Sequence, residues 1–421
     1  MFLKYKSKIV DIISYFGASL LPMLLNLLIN PLISLNMNPE DFAIVGYYTS
    51  FNALITPIIG FYFVQYYIKR YFELDIEERK RLKASVFKSL IWFSLTATII
   101  CLIGIYIYIR CFTTDFSLPV FPYLIMSIFT VPLTGIYNLQ LADYKMNRES
   151  KRYLSLSLFY GCLIVAFNLL YVVMLKGGAF GKLLSPLCVN IIFFVYLLWK
   201  NKDLIIINTT FADFKRSFTF CAPLALGASL GYFTNGYDRT YLETLNQPIE
   251  FGYYVVGASI ATYLTTFSSA ISTTFQPDIY ESITRHDNRR LYKIFALQVF
   301  LIVIVTILFI ILCPFLVKIL TAGKYILSTN YARILSIATI TSTLYYNVNC
   351  ISIAKGYPIL YMITTICGSL VIICLLPTFI SRWQFMGGAY MTIFSYVIFF
   401  VINTIMLAFV LYINKTKIHA R

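Results

Sequence analysis

The chain has 421 residues, 59% of them hydrophobic and only 12% charged, with a mean hydropathy of +0.76. A soluble domain of this size needs far more polar surface, so the composition excludes one and points to an integral membrane protein. Lys and Arg number 34 against 18 Asp and Glu, a net charge of +16, which loop asymmetry and attraction to anionic membrane lipid account for without any nucleic acid.

Apolar runs of roughly 20 residues match the ~30 Å hydrocarbon core, whereas barrel strands would alternate over ~10 residues. The expected fold class is an all-α polytopic membrane protein with about twelve transmembrane helices. They fall at about 12–33, 42–67, 86–109, 119–141, 153–175, 179–199, 218–240, 249–275, 292–316, 328–353, 358–380 and 387–413. Lys4, Lys6 and Lys8 precede the first span, which lacks a small-residue cleavage site and reads as retained. Most basic residues gather in alternate loops, such as Arg79-Lys80-Arg81 and Arg289-Arg290, on the side that holds the N-terminus. The positive-inside rule therefore puts both termini in the cytoplasm. The loops are too short for a soluble catalytic domain, so an enzyme is not expected. The nine cysteines show no metal-ligand spacing, and His286 and His419 lie far apart; neither a metal site nor a disulfide framework is expected.

The halves echo each other. Ser19-Leu20-Leu21-Pro22 in span one resembles Phe220-Cys221-Ala222-Pro223 in span seven. Pro39-Glu40-Asp41-Phe42 with Gly46-Tyr47-Tyr48 opens span two, and Pro248-Ile249-Glu250-Phe251-Gly252-Tyr253-Tyr254 opens span eight. Six spans per half is an even number, so both halves insert the same way up, giving a parallel repeat about an axis along the membrane normal. The expected division is an N-terminal lobe over 1–199, a cytoplasmic linker over 200–217 and a C-terminal lobe over 218–421. Span one has a polar face with Ser19, Asn26 and Asn30. Span two carries Asn52, Thr56-Pro57, Gln65 and the tyrosines Tyr62, Tyr66 and Tyr67. Prolines inside five spans free backbone carbonyls, as bent membrane helices tolerate. Gly227 and Gly231 have the spacing of close helix packing.

Spans seven and eight carry the most chemistry. Asn235 precedes the adjacent pair Asp238-Arg239 at the end of span seven, and charges at a membrane boundary need partners or a task. Span eight bears a stripe of Ser259, Thr262, Thr266, Ser269, Thr273, Gln276 and Tyr280 at alternating spacings of three and four, so one helix face is wet. That face either lines a cavity or hydrogen-bonds neighbouring helices.

Asp238-Arg239-Thr240-Tyr241-Leu242 followed by Phe251-Gly252-Tyr253-Tyr254, with Gly323-Lys324-Tyr325, Lys355-Gly356 and Met386-Gly387-Gly388-Ala389-Tyr390-Met391-Thr392, resembles the pattern of Wzx-type polysaccharide flippases. These belong to the multidrug/oligosaccharidyl-lipid/polysaccharide exporter superfamily. The resemblance implies two six-helix lobes around a central cavity lined by spans one, two, seven and eight, in a bacterial inner membrane. It implies movement of an undecaprenyl-diphosphate-linked oligosaccharide, an O-antigen repeat unit, to the outer leaflet; a monomer that touches a polymerase and a chain-length regulator is a separate hypothesis. No cofactor is implied beyond a coupling ion, H+ or Na+, and Asp238 is the best-placed acid. A guanidinium forks onto phosphate, so Arg239 is the first candidate for the diphosphate, with Arg333, Lys69 and Arg70 behind it. Asn26, Asn30, Asn52, Gln65, Asn235 and Gln276, with Tyr62, Tyr66 and Thr266, suit the sugars. Arg239 has a second reading, as a structural pin paired with Asp238 or with Glu243 four residues on. A flippase for a capsular or peptidoglycan precursor, and a drug/cation antiporter of the same superfamily, stand as alternatives.

Overall fold

The computed structural model describes residues 21–22, 24–112, 117–285, 287–355, 357 and 359–419. Every element among them is a helix. The beginning of span one, with Ser19, and also His286 and Gly356 lie outside the described residues. Seven of the described helices are long and apolar enough to cross a membrane. Others of similar length, such as Pro248–Thr284 and Ser328–Ala354, carry more hydroxyl and amide side chains.

The described chain forms two compact units. One runs to Ser229 and includes Leu320–Ala322; the other comprises Leu230–Ile319 and Gly323 onward. In the first unit, span two is not one rod. It is α2 (Pro39–Ser50), α3 (Asn52–Gly60) and α4 (Phe63–Arg70). Pro57 lies inside α3, and the chain then breaks at Phe61 and Tyr62, with φ of 45° and 55°. Two successive non-glycine residues in the left-handed region cost on the order of 1–3 kcal/mol each, and surrounding packing must hold them there. Phe61 is held by Phe93 and Phe218, at 4.8 and 4.5 Å between ring centroids. Next come α5 (Ile76–Phe112), α6 (Tyr123–Met146), α7 (Ser150–Asn168), which widens into a π-helical turn over Leu169–Met174, and α8 (Gly178–Lys200). A short α9 (Asp203–Ile206) leads to α10 (Phe211–Ser229).

The unit boundary falls after Ser229, beyond the 200–217 linker expected from sequence, because α10 packs into the first unit's core. Phe214 and Phe218 join the aromatic cluster of Phe61, Phe63 and Phe93, and Cys221 and Ala225 are buried beside it. The start of α2 is anchored twice. Asp41 Oδ2 accepts the backbone N–H of Asn38 at 2.8 Å, and Oδ1 accepts that of Ala179, in the first turn of α8, at 2.9 Å. A carboxylate satisfies the free N–H groups of a helix start and complements its dipole. Gly178 makes this approach feasible: its φ is +51°, and a Cβ would sit 2.6 Å from Asp41 Oδ1. We expect Gly178→Ala to lower stability by about 1–3 kcal/mol through backbone strain alone, read as a drop in unfolding temperature in detergent. An unchanged midpoint would remove the Asp41 anchor as a structural element.

In the second unit, span seven ends as two short helices, α11 (Tyr232–Asn235) and α12 (Tyr237–Leu242). Then come α13 (Pro248–Thr284), α14 (Asn288–Leu320, whose last residue belongs to the first unit) and α15 (Ser328–Ala354). The last element, α16 (Ile359–His419), turns at Gln384, where φ is 48° and ψ −129°. Phe379 meets Phe394 at 5.4 Å, and Thr364 approaches Met406, so α16 is a hairpin of two antiparallel limbs corresponding to spans eleven and twelve. The packing order repeats between units: α6 sits against α3 and α8 in the first, and α15 against α13 and α16 in the second. Like α2, α13 starts on a proline and uses an early acid to reach across: Tyr331 of α15 donates to Glu250. Ser268 pairs with Thr343 at 3.0 Å, Gln298 donates to Ser272 at 2.8 Å, and Ser352 donates to Asn403 at 3.1 Å. Among lipid-embedded helices, apolar burial gives no drive to associate, so close packing and such interhelical bonds hold the unit.

Candidate substrate cavity

Within the second unit, α11, α12, α13, α15 and the second limb of α16 enclose a cavity of about 290 Å³. Its polar lining is Thr234, Asn235, Asp238, Arg239, Thr262, Thr265, Thr392 and Tyr396, with Ala258, Ala261, Leu335 and Ala338 as the apolar part. The backbone break at Gly236, with φ −153°, separates α11 from α12 and lets Asn235 and Asp238 both reach this space. Tyr396 donates to Asn235 Oδ1 at 3.3 Å. The fully buried Tyr254 donates to Asp238 Oδ2. Asp238 Oδ1 is buried and has no hydrogen-bond partner among the described residues.

Four of the five sequence motifs of this half pack together around this cavity. Tyr254 ties the start of α13 to the Asp-Arg pair. Tyr253 packs edge-on against the buried Tyr325 of Gly323-Lys324-Tyr325, at 5.9 Å. Gly388 lies where a Cβ would come within 2.9 Å of Leu242 and 3.3 Å of the Tyr254 hydroxyl. The limb of α16 must therefore be bare at this point for α12 and α13 to close on it. We expect Tyr254→Phe to leave the Asp238 carboxylate short of a donor and to cost about 1–3 kcal/mol, measured as a lower unfolding temperature with Tyr254→Trp as an overpacked control. Unchanged stability in Tyr254→Phe would show that Asp238 is satisfied by water.

Arg239 lines the cavity and has no ion-pair or hydrogen-bond partner among the described residues. The structural-pin reading of this residue therefore has no support in the geometry: Tyr254, not Arg239, holds Asp238, and Glu243 is buried with contacts of its own. A guanidinium with no partner among the described residues, at the wall of a cavity, has the donors to pair with an anion.

Helix α13 carries hydroxyls on two faces, of which the stripe expected from sequence is the exposed one. Ser259, Thr262, Thr266 and Ser269 are exposed, and each donates to the carbonyl four residues earlier at 2.8–2.9 Å, which leaves its oxygen free to accept. Ser268 and Ser272 are buried and bond neighbouring helices. The cavity wall itself runs along Ala258, Ala261, Thr262 and Thr265, so Thr266 lies one position beside it. The side chain of Gln276 falls outside the described residues. Arg333 is not in this cavity; its Nε donates to the Ile310 carbonyl of α14 at 3.2 Å.

A second cavity, of about 450 Å³, lies in the first unit. Tyr62, Gln65, Asn138, Lys145 and Tyr153 line it, with Thr56 and Thr134. It sits against the strained Phe61-Tyr62 break. Tyr66 lines a separate pocket of about 280 Å³ with Arg70, Arg81, Asp213 and Arg216, in which Arg81 is paired to Asp213 at 2.9 Å. Lys69 lies over the Phe220 ring at 4.3 Å. Asn26 donates to the Pro22 carbonyl of its own helix at 2.9 Å, and Asn30 is half-buried on the same helix, α1 (Leu24–Asn36). Asn52 opens α3, with its side-chain oxygen buried and unpartnered among the described residues. Sequence reading missed Asn138, Lys145 and Tyr396, and it named Thr392 only as part of a motif, not as a site residue. A helical register would have found them: Thr134, Asn138 and Lys145 share one face of α6, and Gly388, Thr392 and Tyr396 share one face of α16.

A search of curated protein sequences gives no match. In fold, the chain is similar to the lipid II flippase MurJ in an inward closed conformation, with TM-score 0.74 and 15% identity over 94% of this chain and 87% of that one. It is similar to an inward-facing multidrug resistance MATE transporter of the MOP superfamily, with TM-score 0.67 and 13% identity over 94% and 98% of the two chains. A MOP-superfamily transporter from Pyrococcus furiosus aligns with TM-score 0.61 and 13% identity over 96% of each. These likenesses establish a multi-pass membrane fold. The family described as polysaccharide biosynthesis protein matches residues 37–331, most of the chain and all of the Asp238-Arg239 region, and the chain belongs to that family, on the fold of the MOP-superfamily transporters.

Proposed function

We propose that the chain is a flippase that carries an undecaprenyl-diphosphate-linked oligosaccharide from the inner to the outer leaflet of a bacterial inner membrane by alternating access, with both termini cytoplasmic. The observation that carries this reading is Arg239, without a partner among the described residues, in a cavity rich in hydroxyls and amides, in a chain of the polysaccharide biosynthesis family. The division of labour follows from chemistry. Arg239 binds the diphosphate through its planar fork. Asn235, Thr262, Thr265, Thr392 and Tyr396 exchange hydrogen bonds with sugar hydroxyls and replace the water that the head group loses. The lipid tail stays in the bilayer, since burying it elsewhere gains nothing. The two units act as the moving lobes, and a coupling ion, H+ or Na+, supplies the bias. No bond is made or broken in this scheme, so no catalytic group is assigned. An O-antigen repeat unit is the substrate we favour, passed on to a polymerase and a chain-length regulator.

Deleting the gene in its host tests the reading. Long surface glycan should disappear on gels, while complete lipid-diphosphate-linked repeat units accumulate in the inner leaflet by mass spectrometry. Accumulation of single repeat units on the outer face instead would assign the chain to polymerisation and sink the flippase reading. The fold shared with MurJ favours one second reading, transport of a peptidoglycan precursor. Rescue of a strain depleted of its lipid II flippase would select it.

A further inference from the structure

A third cavity of the first unit lies away from both cavities described above. Between α7 and α8, with Tyr144 of α6 at its base, a groove of about 460 Å³ opens on the outside of the unit. Its walls are Leu156, Phe159, Ile192 and Phe193, and its rim carries Arg152, Ser155, Tyr196 and Lys200. Phe159, Ile192 and Tyr196 are 59%, 43% and 44% exposed, so the apolar wall faces outward with no protein over it among the described residues. The cations sit together at one end, Arg152 in the first turn of α7 and Lys200 at the last residue of α8. That end also carries the exposed Trp199, the residue type enriched where a span meets the head groups.

The partners of these cations leave them available. Arg152 pairs with Glu149 at 2.9 Å through one nitrogen, and its side chain is 71% exposed. Lys200 donates to the Tyr144 hydroxyl and lies 5.0 and 5.9 Å from the centres of the Tyr144 and Tyr196 rings. Among the residues that line the groove none is acidic. An apolar trough with two cations and two hydroxyls at its membrane-boundary end has the polarity of a phospholipid: chain along the trough, phosphate at the mouth. Basic pockets between spans on the cytoplasmic side bind anionic head groups.

We propose that this groove binds one anionic glycerophospholipid, with its phosphate on Arg152 and Lys200, the Ser155 and Tyr196 hydroxyls beside it, and an acyl chain against Phe159 and Ile192. The proposal is independent of what the protein transports. An exposed cation near the membrane surface contributes about fivefold to binding an anionic lipid.

The test is native mass spectrometry of the full-length protein in detergent, titrated with dioleoylphosphatidylglycerol and, separately, dioleoylphosphatidylethanolamine. Phosphatidylglycerol should bind more tightly, and Arg152→Gln with Lys200→Gln should weaken it by about 25-fold while phosphatidylethanolamine is unmoved. Equal affinity in wild type and the double variant overturns the proposal. So does displacement of the lipid by free glycerol phosphate at the same concentration, because the apolar wall would then contribute nothing. A second measurement needs no variant. Phosphatidylglycerol with a photoactivatable acyl chain should label wild-type peptides containing Phe159 or Ile192, and labelling confined to other helices rejects the site.

Discussion

Arg239→Ala should abolish surface glycan while the amount of membrane-inserted protein holds. The two halves of that expectation have separate causes. The guanidinium makes no ion pair or hydrogen bond among the described residues, so its removal breaks nothing in the fold, and substitutions of that kind change stability by about ±0.5 kcal/mol. A charge-assisted contact to diphosphate is worth about 1.5–3 kcal/mol, which is about 10- to 150-fold in affinity for the substrate. Arg239→Lys keeps the charge and loses the fork, and should fall between wild type and alanine. The measurements are a gel of surface polysaccharide and an immunoblot of membranes from the same cells. Normal glycan in Arg239→Ala would take the diphosphate away from this residue. Loss of both glycan and protein would make Arg239 structural.

The helical content of the chain was legible because hydropathy and proline position are local signals. Sequence put span six at about 179–199 and span ten at about 328–353; the helices run Gly178–Lys200 and Ser328–Ala354. Pro39 and Pro248 marked helix starts in both halves, since proline fits the first turn, where its missing N–H is not needed. The breaks were harder. Pro57 foretold a bend in span two, but the chain departs from helix at Phe61 and Tyr62, where no glycine advertises a positive φ. Only the aromatic packing around Phe61 explains it, and that packing involves Phe218, far away in sequence.

The site was legible in part for the same reason. Asn235, Asp238 and Arg239 are neighbours in sequence, so one motif names them all. Thr392 and Tyr396 reach the same cavity from the far limb of α16, through a contact that needs a bare Gly388. The motif Met386-Gly387-Gly388-Ala389 was visible, but its partners, Leu242 and Tyr254, were not. Arg333 shows the converse. Its charge in an apolar span makes it a candidate from sequence, yet its Nε is spent on a backbone carbonyl of α14. Charge in a span marks a residue that must be satisfied, and only packing says whether substrate or protein satisfies it.

Asp143→Ala should be the most destabilising single change in the first unit outside its cavities. Asp143 lies in the last turn of α6, and three side chains converge on its carboxylate. Lys83 of α5 donates to Oδ2 at 2.7 Å, and Tyr67 of α4 donates to Oδ1 at 2.6 Å. Asn147 reaches Oδ1 at 3.3 Å and itself accepts from Tyr71 at 2.5 Å. The Lys83 and Asp143 side chains are only 17% and 13% exposed, so water cannot replace the lost partner well. Removing one member of such a pair costs about 3–5 kcal/mol, because the other charge stays buried and uncompensated. Replacing both, as Lys83→Met with Asp143→Leu, should recover most of that loss, since the desolvation cost of both charges goes too. The loss also bears on transport. This knot clamps α4 to α5 and α6, just beyond the strained Phe61-Tyr62 break. Weakening it should free α4 to relax that strain, which the fold otherwise holds in place. A double-mutant cycle on unfolding in detergent measures the coupling. A coupling under about 0.5 kcal/mol would mean that solvent reaches the pair and that α4 is held by the aromatic cluster alone.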